Sequence, residues 1–243
     1  KSADIGVGMG ITGTDVTKNV SDMILADDNF ATIVHAVEEG RRIYDNIRKA
    51  IQFLLSSNLS EVLVLFIATL LNFRIFSPVH ILWINLITDT FPAIALGMEN
   101  AERDIMDKPP RDPKEGIFAN RLGFDLIYQG IVIATLTLTS YMAGISKSHI
   151  TAMTMAFLTL SSCEVFHTVN LRSRTKSVFS VRTHNRYLFG AMLLSLALTV
   201  LVIYLPQVNT VFDLTALSPT DFFTATGIAF IIIPVVETVK MIE

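Results

Sequence analysis

Six apolar runs, each close to the length that crosses a bilayer, dominate the sequence: residues 50–71, 78–98, 122–143, 149–169, 186–205 and 220–241. A hydrocarbon core takes about 20 residues of helix, and 51% of the 243 residues are hydrophobic. In lipid each backbone polar group needs a partner within its own segment, so runs of this length fold as helices. The expected fold is mainly α, a polytopic membrane helix bundle of six spans. The fourth run is the most dilute, because Thr, Ser and Glu interrupt it. A net charge of −3 offers no basic patch for nucleic acid. Cys163 is the single cysteine, so no internal disulfide can form.

Residues 1–33 read differently. Asp4 to Met9 is a short strand, Gly10 to Thr14 a turn, Asp15 to Asn19 a short helix and Ser21 to Leu25 a second strand. This is α/β material too short to hold a core alone. The chain starts at Lys1 without a Met or a signal-peptide pattern, as a piece of a longer protein would. Gly8, Gly10 and Gly13 match the dinucleotide pattern G-x-G-x-x-G, but that site needs a full strand before it and a long helix after it. A glycine-rich turn is the reading this context favours.

A helix starts near Asn29, with Asp27, Asp28 and Asn29 suited to its N-cap. It is charged and amphipathic through His35, Glu38, Glu39, Arg41, Arg42, Tyr44, Arg48 and Lys49, then turns apolar, with no Pro or Gly between Gly40 and Leu71. One helix rising from the soluble segment into the bilayer is expected, with residues 34–49 as its stalk. Asn72-Phe73-Arg74 makes a tight turn before the second run. A polar loop from Glu99 to Arg121, with Pro109, Pro110 and Pro113, follows it.

Lys and Arg orient the chain. Arg41, Arg42, Arg48 and Lys49, then Arg103, Lys108, Arg111, Lys114 and Arg121, then Arg172, Arg174, Lys176, Arg182 and Arg186 share one side. The other side carries only Arg74 and Lys147. The soluble segment and both long loops are therefore expected in the cytoplasm. The short loops on the far side suggest a bacterial plasma membrane.

Polar groups inside the runs point to function. Asn85-Leu86-Ile87-Thr88-Asp89-Thr90-Phe91-Pro92 places an amide, a hydroxyl and a carboxylate at i, i+3 and i+4, on one face of an α-helix. Pro92 removes a donor and frees carbonyls of the preceding turn. Asn58 and Glu61 are spaced i, i+3 in the first run, and Glu164 lies in the fourth. No Lys or Arg accompanies Glu61, Asp89 or Glu164 in their runs, so each must be protonated or hold a cation. An all-oxygen set suits a hard cation such as Ca²⁺. Asn58, Asn85 and Thr88 also fit interhelical hydrogen bonding, and Glu164 a protonated structural acid. Glu237 with Lys240 at i+3 reads as a surface pair, Asp125 as interfacial and His167 as a packing residue. Asn58-Leu59-Ser60 matches a glycosylation acceptor by chance, being inside a run.

Several motifs in order resemble the P-type cation ATPases: Ala3 to Gly10, Ala26 to Phe30, Val37 to Arg41, Ser57 to Glu61, Asn85 to Asp89 and Asp104 to Arg111. The likeness spans essentially the whole chain and is greatest to calcium pumps of the sarco/endoplasmic reticulum type and their bacterial relatives. It implies that residues 1–33 end a phosphorylation domain, that 34–49 are a stalk and that 50–243 form a transmembrane domain. It implies one Ca²⁺ site from Asn58, Glu61, Thr88, Asp89 and Glu164. A second would use Asn85 and Asp89 with a helix outside this chain. Asn85, where sodium/potassium pumps have an aspartate, and Glu61, an acid that one-site calcium pumps lack, point to two ions per cycle. The phosphorylated D-K-T-G-T loop, T-G-E-S and the Mg²⁺-binding G-D-G-x-N-D loop are absent from these residues. ATP and Mg²⁺ would therefore be handled by the rest of the same ATPase. The expected function is the C-terminal transmembrane part of an ATP-driven Ca²⁺ pump with H⁺ counter-transport, its partners the cation, the lipid bilayer and the remainder of the enzyme. The alternatives are a P-type pump for Mn²⁺ or Na⁺/K⁺, or a passive membrane module with structural carboxylates.

Overall fold

A computed structural model describes residues 4–102, 104–112, 114–119, 121–181 and 184–242 of the protein. Ala3 of the first motif, Arg103 and Arg182 of the basic loops, and Pro113 lie outside the described residues. The chain divides into two compact units, residues 1–45 with 101–110, and residues 46–100 with 111–243.

In the first unit, strands β1 (Val7–Met9) and β2 (Met23–Leu25) pair in parallel around helix α1 (Asp15–Val20). The glycine pattern has a packing cause. A Cβ on Gly13 would lie 2.1 Å from the Met9 carbonyl oxygen, and one on Gly10 2.6 Å from that of Leu25. Helix α1 is only 6 residues long, so the turn lacks the long helix of a dinucleotide fold. Asp28 takes a left-handed conformation at φ 53°, which short acids tolerate. From there it reaches back to the glycine turn, accepting from Ile11 N–H at 2.8 Å, Thr12 N–H at 2.7 Å and the Thr12 hydroxyl at 2.6 Å. Asp27 and Asn29, not Asp28, make the contacts at the start of the next helix. Asp27 accepts from the Thr32 hydroxyl at 2.7 Å and Asn29 from Ala31 N–H at 3.0 Å. Within the same unit Arg41 donates to the Ile105 and Lys108 carbonyls, both at 2.7 Å.

Helix α2 runs unbroken from Thr32 to Leu70, 39 residues. Asn72 ends it in the left-handed region at φ 55°, and Phe73 N–H closes the turn on the Ala68 carbonyl at 2.9 Å. The next helical stretch is three pieces: α3 (Pro78–Trp83), a π-helical segment (Ile84–Asp89) and α4 (Thr90–Gly97). Then come α5 (Leu122–Ile145), α6 (His149–Asn170), α7 (Arg186–Tyr204), the short α8 (Pro206–Asn209), and α9 (Pro219–Phe230) followed directly by α10 (Ile232–Ile242).

Length and composition suit five helical stretches to a membrane: 32–70, 78–97, 122–145, 186–204 and 219–242. The fourth expected span forms a helix of 22 residues, α6, but does not count among them. The cause is where its side chains point. Helix α6 packs against α5, α9, α7, α10, the π segment and α4, and is buried on nearly every face. Thr154, Thr159, Ser161, Ser162, Glu164, His167, Thr168 and Asn170 all lie inside the bundle, facing protein rather than its outer surface. By contrast α7 leaves Phe189, Leu193, Leu194 and Leu201 exposed. Hydropathy registers the α7 kind of helix, with an apolar outer surface, and not one whose polar side chains lie inside the bundle.

Candidate functional site

The π segment sets the geometry. Pro92 has no N–H, so the Ile87 carbonyl five residues back cannot receive the wide-turn bond from it. The Ser195 hydroxyl of α7 fills that place at 3.0 Å. The Asn85 carbonyl accepts from the Thr90 hydroxyl, also five residues on, at 3.0 Å. Two side chains thus support a backbone stretch whose bonds are wider than those of an α-helix.

The wider turn changes which residues share a direction. The α-helical reading put Asn85, Thr88 and Asp89 on one face; the structure fans them apart. The Asn85 amide faces α2 and donates to both Glu61 oxygens at 2.9 Å, and to the Ile81 carbonyl at 3.0 Å. The Thr88 hydroxyl faces α6, 2.8 Å from Glu164 Oε2 and 2.9 Å from the Ile84 carbonyl. Its single proton serves one acceptor at a time. Asp89 is 1% exposed, and neither of its oxygens has a donor in hydrogen-bonding geometry. Glu164 Oε1, on a fully buried residue, also has none.

Glu61, Asp89 and Glu164 lie close enough to repel one another when charged. Ion pairs of this unit form elsewhere, among them Lys147–Asp221, Arg172–Glu99 and Lys240–Glu237. Among the described residues no basic side chain pairs with the three acids. Nor does any group of three His, Cys, Asp or Glu there come together closely enough to hold a metal ion by itself. Neutral oxygens must complete any shell, as a cation taking about six to eight oxygens permits.

Asn58 is not gathered in. It is exposed, and its amide donates back to the Leu54 carbonyl at 2.6 Å. Ser57 stands in its place, buried, without a hydrogen-bond partner and within polar reach of Asp89. The helix period explains the exchange: i, i+4 neighbours differ by about 40° in direction and i, i+3 neighbours by about 60° on the other side. Ser57 is i−4 to Glu61, so a stricter reading of the spacing finds it.

One further reading needs correction. Glu237 and Lys240 are no surface pair, since their side chains are 3% and 5% exposed and 2.9 Å apart. Glu237 also accepts from the Ser177 hydroxyl at 2.7 Å and Val178 N–H at 2.8 Å, which pins the loop after α6. His167 joins a polar chain, 3.2 Å from Gln129 Oε1, which also accepts from Gln52 at 2.9 Å. Glu99 and Arg172, read as loop residues, form a buried pair at 3.0 Å.

A helical membrane bundle with carboxylates buried beside a π-helical break defines a polytopic membrane protein with an ionisable interior. The profile of the Cation transporting ATPase, C-terminus, matches residues 73–242, and the chain belongs to that family. It is 42% identical over 261 residues to Calcium-transporting ATPase 1 of Bacillus cereus, covering 99% of this chain and 29% of that protein. It is 45% identical over 236 residues to Calcium-transporting ATPase of Bacillus subtilis, covering 95% and 26%. Calcium-transporting ATPase type 2C member 1 of Homo sapiens is 39% identical over 247 residues, covering 100% and 27%. The chain spans less than a third of the length of these curated relatives.

Proposed function

We propose that this chain is the C-terminal transmembrane part of an ATP-driven Ca²⁺ pump, and that Glu61, Asn85, Thr88, Asp89 and Glu164 bind the transported ion. The observation that carries the reading is the convergence of three buried acids, without basic partners, on the π segment. The names of the relatives support Ca²⁺ as the ion. Asn58 remains in the proposed set as the polar residue on the open face of α2, where ligands from the remainder of the ATPase would approach. ATP and Mg²⁺ would act on that remainder. All six long helical stretches would cross the membrane, α6 as the central post, with residues 1–33 and the basic loops in the cytoplasm.

The unbroken α2 supports coupling. Aspartyl phosphorylation would tilt its stalk through Tyr44 and Lys49, moving Glu61 against Asn85 and Asp89. A changed number of oxygens on the ion is a changed affinity, which is alternating access expressed as differential binding. Protons would replace Ca²⁺ on the emptied acids, which cannot stay charged and unpaired.

The test is phosphoenzyme formation from ATP by the intact parent protein, with Ca²⁺, Mn²⁺, Na⁺ and K⁺ supplied separately. Micromolar Ca²⁺ should trigger it, and Asp89→Asn should abolish the response. Activation by Na⁺ or Mn²⁺ but not Ca²⁺ would overturn the ion assignment. An unaltered response in Asp89→Asn would sink the site.

A further inference from the structure

A second buried polar cluster lies beyond the far end of the helical stretch that carries the site, and the proposed ion path makes no use of it. Just past α4, Glu99 is 1% exposed. Its carboxylate accepts from Arg172 at 3.0 Å on one oxygen and from the Asn185 amide at 2.8 Å on the other. Asn185 also donates to the Ala95 carbonyl at 3.0 Å while its own oxygen caps α7 at Leu188 N–H. The Glu99 carbonyl accepts from Asn46 of α2 at 2.7 Å, and the same amide reaches the Gly97 carbonyl at 3.2 Å.

A buried ion pair is a poor stabiliser, because desolvating both charges costs about what their attraction returns. Its best-attested use is to fix register. A π segment interrupts the α-helical period, so its residues take a different direction and rise from those of an uninterrupted helix. Within Ile84–Asp89 the Asn85 amide makes a side-chain contact to α2, on Glu61, at the site itself. Polar contacts between the two helical stretches include two levels, Glu61–Asn85 at the site and Asn46 on Gly97 and Glu99 outside it. On α2 these levels are about 22 Å apart by helical rise.

We infer that Asn46 and Glu99 are positioning residues that hold α4 in register against α2 and thereby set Asn85 and Asp89 opposite Glu61. Arg172 and Asn185 hold the Glu99 carboxylate, so its backbone carbonyl is presented to Asn46. The inference rests on the pump reading, and its test separates the two.

The intact parent enzyme in lipid is assayed for phosphoenzyme level and half-saturating Ca²⁺ in the wild type, Asn46→Ala, Glu99→Gln, Asn85→Ala and the Asn46→Ala/Asn85→Ala double variant. Asn46→Ala and Glu99→Gln should each raise half-saturating Ca²⁺ about tenfold. The phosphoenzyme level at saturating Ca²⁺ should not change. In the Asn85→Ala background the effect of Asn46→Ala should shrink to less than about twofold, because the register no longer has its reader. A lower level at every Ca²⁺ concentration, additive in both backgrounds, marks a merely structural role and overturns the inference. Unchanged half-saturation in both single variants overturns it as well. A wild type with no cation-dependent phosphoenzyme overturns the pump reading and the inference together; a responsive wild type with insensitive Asn46 and Glu99 variants overturns the inference alone.

Discussion

Asp28 and Asp89 are the same side chain used in opposite ways. Asp28 is half-buried at the surface of its unit, and both its oxygens are occupied by donors from Ile11 and Thr12. Asp89 is buried, and both its oxygens lack a donor. In water an acid can organise backbone at little cost, because solvent serves whatever the protein leaves over. Inside a bundle an acid with no donor and no basic partner is costly, and its retention points to a ligand that comes and goes. The first acid holds a turn together; the second, under the proposed function, would be held available.

The largest effect should fall on the buried set. Glu164→Gln in the intact parent should raise half-saturating Ca²⁺ about a hundredfold or more, as expected when a desolvated charge is removed from its partner ion. A shift under threefold in a Ca²⁺ titration of phosphoenzyme would make Glu164 structural, like Asp28. Thr88→Ala should shift the same titration about tenfold, the worth of one hydroxyl contact to a charged group. An unshifted curve would place Thr88 outside the ion's shell.

Ser195→Ala leaves the Ile87 carbonyl without its donor and should lower stability by about 1–2 kcal/mol, read from thermal unfolding of the parent in lipid. No change there would mean that the π segment needs no support from α7. The smallest effect is on Asp28. The Thr12 hydroxyl first, then the Ile11 and Thr12 N–H groups, holds its carboxyl below the ordinary aspartate value. Its contribution is therefore present above the unfolded value and lost as pH falls through the lowered one. Amide protection at Ile11 and Thr12 should fall in acid, below the ordinary carboxylate range, and Asp28→Asn should show that loss already at neutral pH. Protection unchanged down to pH 2 would remove Asp28 from the turn's support.

Much of this was legible in the residues, for local reasons. The hairpin at Asn72, the start of α2 and the break at Pro92 rest on capping and proline chemistry within a few positions. The identity of Glu61, Asp89 and Glu164 followed from their misfit in apolar runs. What could not be read was direction. The α-helical period put Asn85, Thr88 and Asp89 on one face, and only the π turn separates Asn85 towards Glu61 from Thr88 towards Glu164. The i, i+3 spacing to Glu61 points to Asn58, whereas the i, i+4 neighbour that the bundle buries is Ser57. Glu99 meets Arg172 across 73 positions of sequence, and no local pattern encodes that pairing. Helix α6 was visible as a helix, but its burial on nearly every face depends on all its neighbours.

That burial bears on how the chain reaches its place. A helix carrying Glu164, His167, Asn170 and several hydroxyls has little reason to leave the insertion machinery for lipid by itself. It is joined to α5 by a turn so close that a Cβ on Gly144 would lie 2.7 Å from the Ala152 Cα. The two helices would therefore enter as one hairpin, the apolar α5 carrying its polar partner. Final burial would wait until α7, α9 and α10, which follow α6 in the chain, close around the post. A ribosome stalled before α9 would leave the polar core open on one side, and quality control would have a water-seeking helix to recognise.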